Sequence, residues 1–449
     1  MRARTGTFLF FLVALVLCSY HLDTGHNDNT MARAASVASL VDRGTLEITA
    51  IHGVTNDKCL VNGRYYSDKA PLPTFIVLPF HWAAVELGLV NAGENGTLTD
   101  GLLRLGGFLC GSVPLAVLIT LAWRSLRARD EALPMNAALL ASIPLLGSFL
   151  FVYTGSFYNH LPGALFSVLA ARSASQHRYL FTGFWGGAAF LCESVLLLFV
   201  ALWTVQQFLT HGWRNALHIG LGLLPALLGA AAHNVAVTGE VLTFPNAYAV
   251  NYEAMHEQYG FFTWQPKAFF NLLISDHRGL LFYMPFLLMA LWTLPRTMRA
   301  HDLLRDPFVL PALVLIALFL THATWWGGWT YGPRYLMASA TLLAFATMRR
   351  IGARRLERWA VPALCGIGLV CALGALFTVS YSMPSEELHP LITEVWPRVA
   401  RLEFNGMQWP VLLGASPAAA AMLYLPTLAL GLLSLVRIER SSHAPVPLH

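Results

Sequence analysis

Two Asp-Lys pairs lie eleven residues apart, at Asp57-Lys58 and Asp68-Lys69. The second pair is followed by Ala70-Pro71 and an apolar stretch, so Lys69 stands at the end of a polar segment. Partial desolvation there would strengthen its attraction to an anion such as a phosphate group. Solvated ion pairs would also account for both pairs. All four residues, with the nearby Tyr66, are therefore candidate lining or binding residues.

A single acid stands in the stretch His26-Asn27-Asp28-Asn29-Thr30. Apolar residues follow at helical spacing from Met31 to Val41, which predicts a short helix with Asp28 at its start. A carboxylate in this place could cap the helix, or it could act as a general base on a bound hydroxyl group. The residue types alone leave both roles open.

Two further cations stand near aromatic residues. Arg278 precedes an apolar run, and Arg334 ends a stretch that contains three Trp and three Gly. A membrane interface explains the aromatic residues without any ligand. The glycines and the arginine indicate backbone brought close to something bulky beside a fixed positive charge. Trp326 and Tyr331, in the same stretch, are candidate lining residues.

The composition shows that membrane helices must position these residues. Of 449 residues, 56% are hydrophobic and only 12% are charged, whereas a soluble domain carries about 25% charged residues. The arginines form short clusters between apolar runs and no single basic face, which argues against a nucleic-acid ligand. Five of the six cysteines lie in apolar segments, so neither a disulfide framework nor a zinc site is implied.

The apolar runs predict an all-α polytopic membrane protein with about twelve spans in a single domain, residues 1–449. The predicted spans are 7–20, 102–123, 136–154, 158–172, 180–191, 194–209, 215–236, 279–295, 308–322, 334–348, 359–380 and 412–436. A break at Cys192-Glu193 makes 180–209 a pair of short spans. All 18 arginines of the short connections and termini then share one face, which the positive-inside rule makes cytoplasmic, as are both termini.

This topology gives a large first extracytoplasmic loop, 21–101, that contains surface helices. The proline-interrupted residues 70–90 lie along the outer membrane surface or enter it shallowly. Further outer loops are 237–278, 323–333 and 381–411. Polar residues at span ends are functional candidates because they are costly there, and His160 is one of them. Glu193 could act at such a site, or it could bond the backbone freed at the helix break.

The motifs together resemble the GT-C class of membrane glycosyltransferases, in the branch of the protein O-mannosyltransferases and the lipid A aminoarabinose transferase. The likeness rests on an acid after the first span, on the helix that ends Val41-Asp42-Arg43-Gly44, and on the stretch from Asn62 to Pro71. A poorly characterised bacterial subgroup is closer still, through Asp68-Lys69-Ala70-Pro71, Arg278-Gly279-Leu280 and the stretch from Trp326 to Tyr335.

The resemblance implies a GT-C-like fold in the bacterial inner membrane and a polyprenyl-phosphate-linked sugar as donor. Asp28 would take the acceptor proton, and Lys69, Arg278 and Arg334 would bind the departing lipid phosphate. The candidate lining residues of the substrate vestibule are Asp57, Lys58, Tyr66, Asp68, His160, Trp326 and Tyr331. No cofactor is implied with certainty. A divalent metal is compatible with the family, although Asn27 and Asn29 leave Asp28 without an acidic partner.

Two other functions fit the same sequence. A transporter or lipid flippase would also place His, Glu and Asn within its spans, although no internal hydropathy repeat is evident. A non-catalytic relative would bind the lipid without transferring a sugar. The sequence identifies neither the sugar nor the acceptor, which could be a glycan, a lipid or a protein.

Overall fold

Helices joined by short connections make up most of the chain, and a computed structural model describes residues 2–251 and 260–441. The first eleven helices are α1 (Arg2–Cys18), α2 (Asp28–Arg43), α3 (Leu72–Glu86), α4 (Asp100–Gly107), α5 (Val113–Arg127), α6 (Ala137–Leu146), α7 (Phe149–Val152), α8 (His160–Ser175), α9 (Tyr179–Cys192), α10 (Leu197–His211) and α11 (Trp213–Thr238). The others are α12 (Pro266–Leu273), α13 (Leu280–Tyr283), α14 (Leu288–Thr297), α15 (Ala300–Arg305), α16 (Val309–Phe319), α17 (Met337–Met348), α18 (Arg355–Phe377), α19 (Trp396–Ala400), α20 (Trp409–Leu412) and α21 (Pro417–Ser441).

Within the described ranges, five helical segments are long and apolar enough to cross a membrane. They are Asp100–Arg127, Ser194–His211, Trp213–Thr238, Arg355–Phe377 and Pro417–Ser441. Shorter apolar helices of 10–17 residues accompany them. The prediction of a helical membrane protein is confirmed, whereas the number of twelve spans is not. Residues 252–259 of the predicted loop 237–278 lie outside the described residues.

The helix break predicted at Cys192-Glu193 is present. α9 ends at Cys192, and Glu193 has extended backbone with φ −155° and ψ 108°. A short 3₁₀ turn, Ser194–Leu196, then leads into α10. The Glu193 carboxylate contacts the His160 Nδ1 atom at 3.1 Å. In the part of the chain that the structure describes, Glu193 is therefore a partner of His160.

Residues 21–101, the predicted first outer loop, contain the predicted helix, but its surroundings differ from the prediction. α2 covers Asp28–Arg43 and is buried from Asn29 to Ser39. It packs against α3, α4 and the hairpin described below. α2 is therefore enclosed by protein along most of its length, and it does not lie openly on a membrane. Burial on every side fits its small Ala and Ser residues.

A short hairpin is the exception to the predicted all-α class in the part of the chain that the structure describes. Its strands are β1 (Lys58–Val61) and β2 (Arg64–Ser67), with Lys58 opposite Ser67. Asn62 and Gly63 form its turn with φ of 50° and 78°, the left-handed conformation that tight two-residue hairpin turns require. The residues just beyond the paired strands are Asp57 and Asp68, so the register brings these two carboxylates to one end of the hairpin.

Glycines let helices α9 and α11 touch through their backbones. A Cβ atom added at Gly183 would lie 1.9 Å from the Ile219 carbonyl oxygen, and one added at Gly222 would lie 2.0 Å from the Leu180 carbonyl oxygen. No side chain fits at either distance. Small residues at such contacts are typical of membrane helix pairs, which lack a hydrophobic driving force for association.

Glycines also fix the segment 153–157 against the first outer loop. A Cβ atom at Gly107 would lie 1.8 Å from the Gly155 carbonyl oxygen, and one at Gly155 would lie 2.3 Å from the His21 carbonyl oxygen. The Asp23 backbone N–H donates to the same Gly155 oxygen at 2.9 Å. The residues that follow, Tyr158 and Asn159, are thereby held beside the first outer loop.

Asp23 joins the first outer loop to the segment that follows α18. Its carboxylate accepts a hydrogen bond from the Gly25 backbone N–H at 2.5 Å and from the Ser380 hydroxyl at 3.1 Å. Burial raises the pKa of the Asp23 carboxyl from 3.8 to about 6, although hydrogen bonds from Gly25, Ser380 and Tyr381 lower it. The ionised carboxylate therefore carries a desolvation cost that its partners only partly offset.

We expect Gly222→Ala to lower the thermal stability of the detergent-solubilised protein, because the new methyl group forces α9 and α11 apart. Overpacking of this kind costs about 1–3 kcal/mol. Gly220→Ala is the matched control, since no atom lies within 4 Å of its added Cβ. The measurement is the Tm of both variants by size-exclusion chromatography after heating. Equal Tm values for the two variants would contradict direct backbone contact.

We expect Asp23→Asn to stabilise the protein more at pH 7.5 than at pH 4.5. A carboxyl whose pKa is raised by folding favours the folded state at low pH, and this advantage is lost as the pH rises from 3.8 to about 6. Asn carries no such cost, so its gain over the native residue should grow by about 1–2 kcal/mol between the two pH values. Parallel melting curves at each pH measure it. The exposed Asp130→Asn is the control, and a gain independent of pH would contradict the argument.

Candidate functional site

Lys69 lies between two carboxylates at the open end of the hairpin. Its Nζ atom is 2.8 Å from an oxygen of Asp57 and 3.0 Å from an oxygen of Asp68. Burial lowers the pKa of Lys69, but the two carboxylates outweigh burial and the net shift is upward. Lys69 is therefore a charged ammonium group whose charge is already compensated, and three of the predicted residues meet here.

Asp28 is bonded to Thr55 and Asn56, the two residues that precede Asp57. Its Oδ1 atom accepts a hydrogen bond from the Asn56 backbone N–H at 2.6 Å, and its carbonyl oxygen accepts one from the Thr55 hydroxyl at 2.8 Å. The side chain that caps α2 is that of Asn27, which accepts from the Asn29 backbone N–H at 3.0 Å. Asp28 is the first residue of the helix, and its carboxylate is only partly buried. The capping role left open by the sequence thus belongs to Asn27.

Arg33 is a buried cation of the site that the sequence analysis missed. It is 1% exposed, and its guanidinium donates to the Asn29 carbonyl oxygen at 2.9 Å and to the Asn159 Oδ1 atom at 2.7 Å. The negative charges of Asp57 and Asp68 also attract this guanidinium group at longer range. The sequence does carry one indication of this role: Arg33 is the one charged residue in the run of small and apolar residues from Met31 to Val41.

Tyr158 connects the first outer loop to Arg334. Its hydroxyl donates to the Asn27 Oδ1 atom at 2.9 Å and accepts from the Arg334 guanidinium at 3.2 Å. The Cζ atoms of Arg33 and Arg334 lie 6.0 Å and 5.5 Å from the centroid of the Tyr158 ring. Both cations therefore share one aromatic neighbour that is itself buried.

The glycines of the Arg334 stretch let its backbone turn close to the Arg334 side chain. Gly327, Gly328 and Gly332 have φ of 79°, 71° and 69°, which favours glycine. A Cβ atom at Gly327 would lie 3.4 Å from the Arg334 Cγ atom. The bulky group expected beside this backbone is thus the Arg334 side chain, which lies across the turn.

Arg278 is fully buried. Its guanidinium donates to the carbonyl oxygens of His277 at 2.7 Å and Pro384 at 3.1 Å. Arg278 and Arg334 both interact electrostatically with Tyr153 and with each other. The loop after α18 therefore contacts Arg278 through the Pro384 carbonyl oxygen, and Glu386 of the same loop attracts it at longer range.

In the described ranges, the guanidinium groups of this region have negative charges near them only at longer range, with Asp57 and Asp68 acting on Arg33 and Glu386 acting on Arg278. Among the residues that the structure describes, no carboxylate lies within 4.0 Å of the guanidinium groups of Arg33, Arg278 or Arg334. The Nε atom of each is buried without a hydrogen-bond partner. Buried charges are ordinarily paired, so three such groups around a common tyrosine cluster form a place where an anion would be stabilised.

The remaining predicted residues occupy different positions. Lys58 points away from Lys69, and its Nζ atom donates to the His52 carbonyl oxygen at 2.8 Å. Tyr66 packs against a small apolar cluster with Val61 and Val237, beside a cavity that Lys69 also lines. Tyr331 is buried, and its hydroxyl donates to the Cys371 carbonyl oxygen at 3.3 Å. Lys58 and Tyr331 therefore do not join the other predicted residues.

His160 lies at the edge of the tyrosine cluster, whereas Trp326 contacts Trp325. The His160 ring is 5.9 Å from the Tyr158 ring and 6.0 Å from the Tyr335 ring, between centroids. Trp326 is partly buried next to Trp325.

Over residues 2–251 and 260–441, no group of three or more His, Cys, Asp and Glu side chains is arranged to hold a metal ion.

Comparisons with known proteins give one structural similarity. No model of a known protein family matches the sequence, and no curated protein matches it. The structure is similar to the crystal structure of ArnT from Cupriavidus metallidurans bound to undecaprenyl phosphate, with 16% sequence identity and a TM-score of 0.47. The similarity covers 97% of this chain and 77% of that chain.

Proposed function

We propose that this protein is a membrane glycosyltransferase that moves a sugar from a polyprenyl-phosphate donor to an acceptor on the extracytoplasmic side. The observation that carries the proposal is the set of three guanidinium groups with no carboxylate in contact among the described residues. Arg334 of this set is linked through the Tyr158 hydroxyl to Asn27, the neighbour of the partly exposed Asp28. Cations without a contacting carboxylate suit a reaction whose leaving group is an anion.

The lipid phosphate would be bound by Arg33, Arg278 and Arg334. Each guanidinium presents several donors in a fixed plane, which matches phosphate oxygens. Lys69 would join them by exchanging one of its two carboxylate contacts for a phosphate oxygen. When the bond between sugar and phosphate breaks, negative charge builds on the leaving phosphate, and cations already in place lower the energy of that state.

Asp28 would act as the base. In the proposed step, the acceptor hydroxyl oxygen attacks the anomeric carbon, the bond from that carbon to the phosphate oxygen breaks, and the hydroxyl proton passes to the Asp28 carboxylate. The partial exposure of Asp28 leaves it accessible from the outer side. Tyr66, Asp68 and His160 would line the adjacent vestibule, and Asp57 would hold Lys69 in place.

The arginine distribution supports the proposed orientation. With both termini in the cytoplasm, the short arginine-rich connections lie on the cytoplasmic side, and the inner membrane of a bacterium is the location that suits a polyprenyl-linked donor. Asp28 and Lys69 then lie on the outer side, where an acceptor in the cell envelope would be reached.

The experiment that tests the function compares envelope glycans and glycoproteins from cells with and without the gene by mass spectrometry. Loss of one sugar from one class of molecule is expected, and it would identify the acceptor. Unchanged sugar composition, together with unmodified lipid-linked sugar crossing sealed vesicles, would replace the proposal with a transporter.

We expect Asp28→Asn to abolish sugar transfer while the protein remains folded in the membrane. The amide keeps the shape of the side chain and can still accept the Asn56 hydrogen bond, but it cannot take a proton. Restoration of the missing sugar in deletion cells measures the effect, with the exposed outer residue Glu94→Gln as the matched control. Transfer at the native rate by the purified Asp28 variant would remove this residue from the mechanism.

We expect Arg334→Ala to weaken binding of undecaprenyl phosphate by about 1.5–3 kcal/mol, the cost of losing a charged hydrogen bond. This corresponds to roughly a 10- to 150-fold rise in Kd. Titration of the purified protein in detergent measures it, and Arg401→Ala is the control because Arg401 is an exposed arginine of an outer segment. If both variants bind with native affinity, Arg334 has a structural role only.

A further inference from the structure

An aromatic surface on the segment 260–274 takes no part in the site described above. Phe262 and Trp264 are 76% and 87% exposed, and Phe269 and Phe270 of α12 are 60% and 58% exposed. Ile274, at the end of α12, is 50% exposed. Contiguous apolar groups of this size mark an interaction surface, because exposing them to water is unfavourable.

The opposite face of the same segment is fixed to the protein. Ala268 and Leu272, one helical turn apart, are fully buried. The Thr263 backbone N–H donates to the Thr321 carbonyl oxygen at 2.8 Å, and the Ala323 N–H donates to the Gly260 carbonyl oxygen at 2.7 Å. The aromatic groups are therefore held outward by a firmly attached element.

The chain leads directly from this surface into a span predicted from the sequence, 279–295. After α12 a turn at 274–279 enters α13 and α14, where Leu288 and Leu291 are exposed apolar residues of a predicted span. The stretch from Phe262 to Ile274 has no acidic residue, and its one charge is the exposed Lys267. Trp and Phe with a lysine at the boundary of a span are typical of the headgroup region of a bilayer.

We propose that residues 262–274 form an interfacial anchor, with the aromatic face seated in the outer leaflet at the boundary between headgroups and acyl chains. Continuity with the exposed apolar residues of α14, in the predicted span 279–295, favours lipid as the occupant, ahead of a second copy of the chain or another protein. The anchor is connected to two cations of the site. Its end leads along the chain to Arg278, and its start is bonded to residues 321–323, just before the Arg334 stretch. It therefore sets the depth of both cations relative to the membrane, and its existence does not depend on glycosyl transfer.

The test is a depth measurement by electron paramagnetic resonance on the full chain in vesicles of phosphatidylethanolamine and phosphatidylglycerol. A spin label is attached at Trp264→Cys, in a Cys371→Ser background because the other native cysteines are buried. Collision rates with oxygen, which concentrates in lipid, are compared with those of a water-soluble nickel complex. Labels at Leu291→Cys and Glu403→Cys give the lipid and water references, since both side chains are exposed.

We expect the ratio of oxygen to nickel collisions at position 264 to exceed the ratio at 403 several-fold and to fall below the ratio at 291. A second label at Phe270→Cys should give a ratio in the same range. Agreement between the two positions shows that the result does not come from a local disturbance by one label. A ratio at 264 equal to that at 403 would overturn the proposal, because the surface would then lie in water. Low collision rates with both reagents would also overturn it, because protein would then cover the surface.

Discussion

The site depends on positive charge held in a poorly solvated interior without an opposite charge in contact. Transfer of a guanidinium group out of water costs several kcal/mol unless other groups replace its hydration. Here neutral oxygens do so: Arg33 bonds the amide oxygen of Asn159 and the carbonyl oxygen of Asn29, and Arg278 bonds two carbonyl oxygens. Neutral partners orient the cations and leave their charge available, whereas a carboxylate would cancel it. Lys69 shows the alternative arrangement, with its charge matched by two carboxylates.

Close backbone packing also recurs around the site, because glycines permit approaches that a side chain would block. Gly155 brings the segment before Tyr158 against the first outer loop, and Gly327 lets the Arg334 side chain cross its own turn. The residues of the site come from distant parts of the sequence. Each close contact between backbone segments therefore helps to fix the positions of these residues relative to one another.

The sequence predicted the helical membrane class because hydropathy reports directly on burial in lipid. It also predicted α2 and the break at Glu193, which depend on local pattern. Contacts between distant segments could not be predicted in this way. The local sequence does not show that Asp57 reaches Lys69 while Lys58 reaches His52, because both contacts depend on how the hairpin folds back. Asn159 and Tyr158 likewise became part of the site only through the packing of Gly155.

The two-residue turn of the hairpin has a consequence for how this protein can change during evolution. Strand residues alternate between faces, so the loss or gain of one amino acid at Asn62-Gly63 would slide one strand past the other. Asp57 and Asp68 would then no longer meet across the end of the hairpin, and the ammonium group between them would lose a partner. Homologous proteins that keep this ion-pair arrangement should therefore conserve the length of this turn more strictly than its residue types.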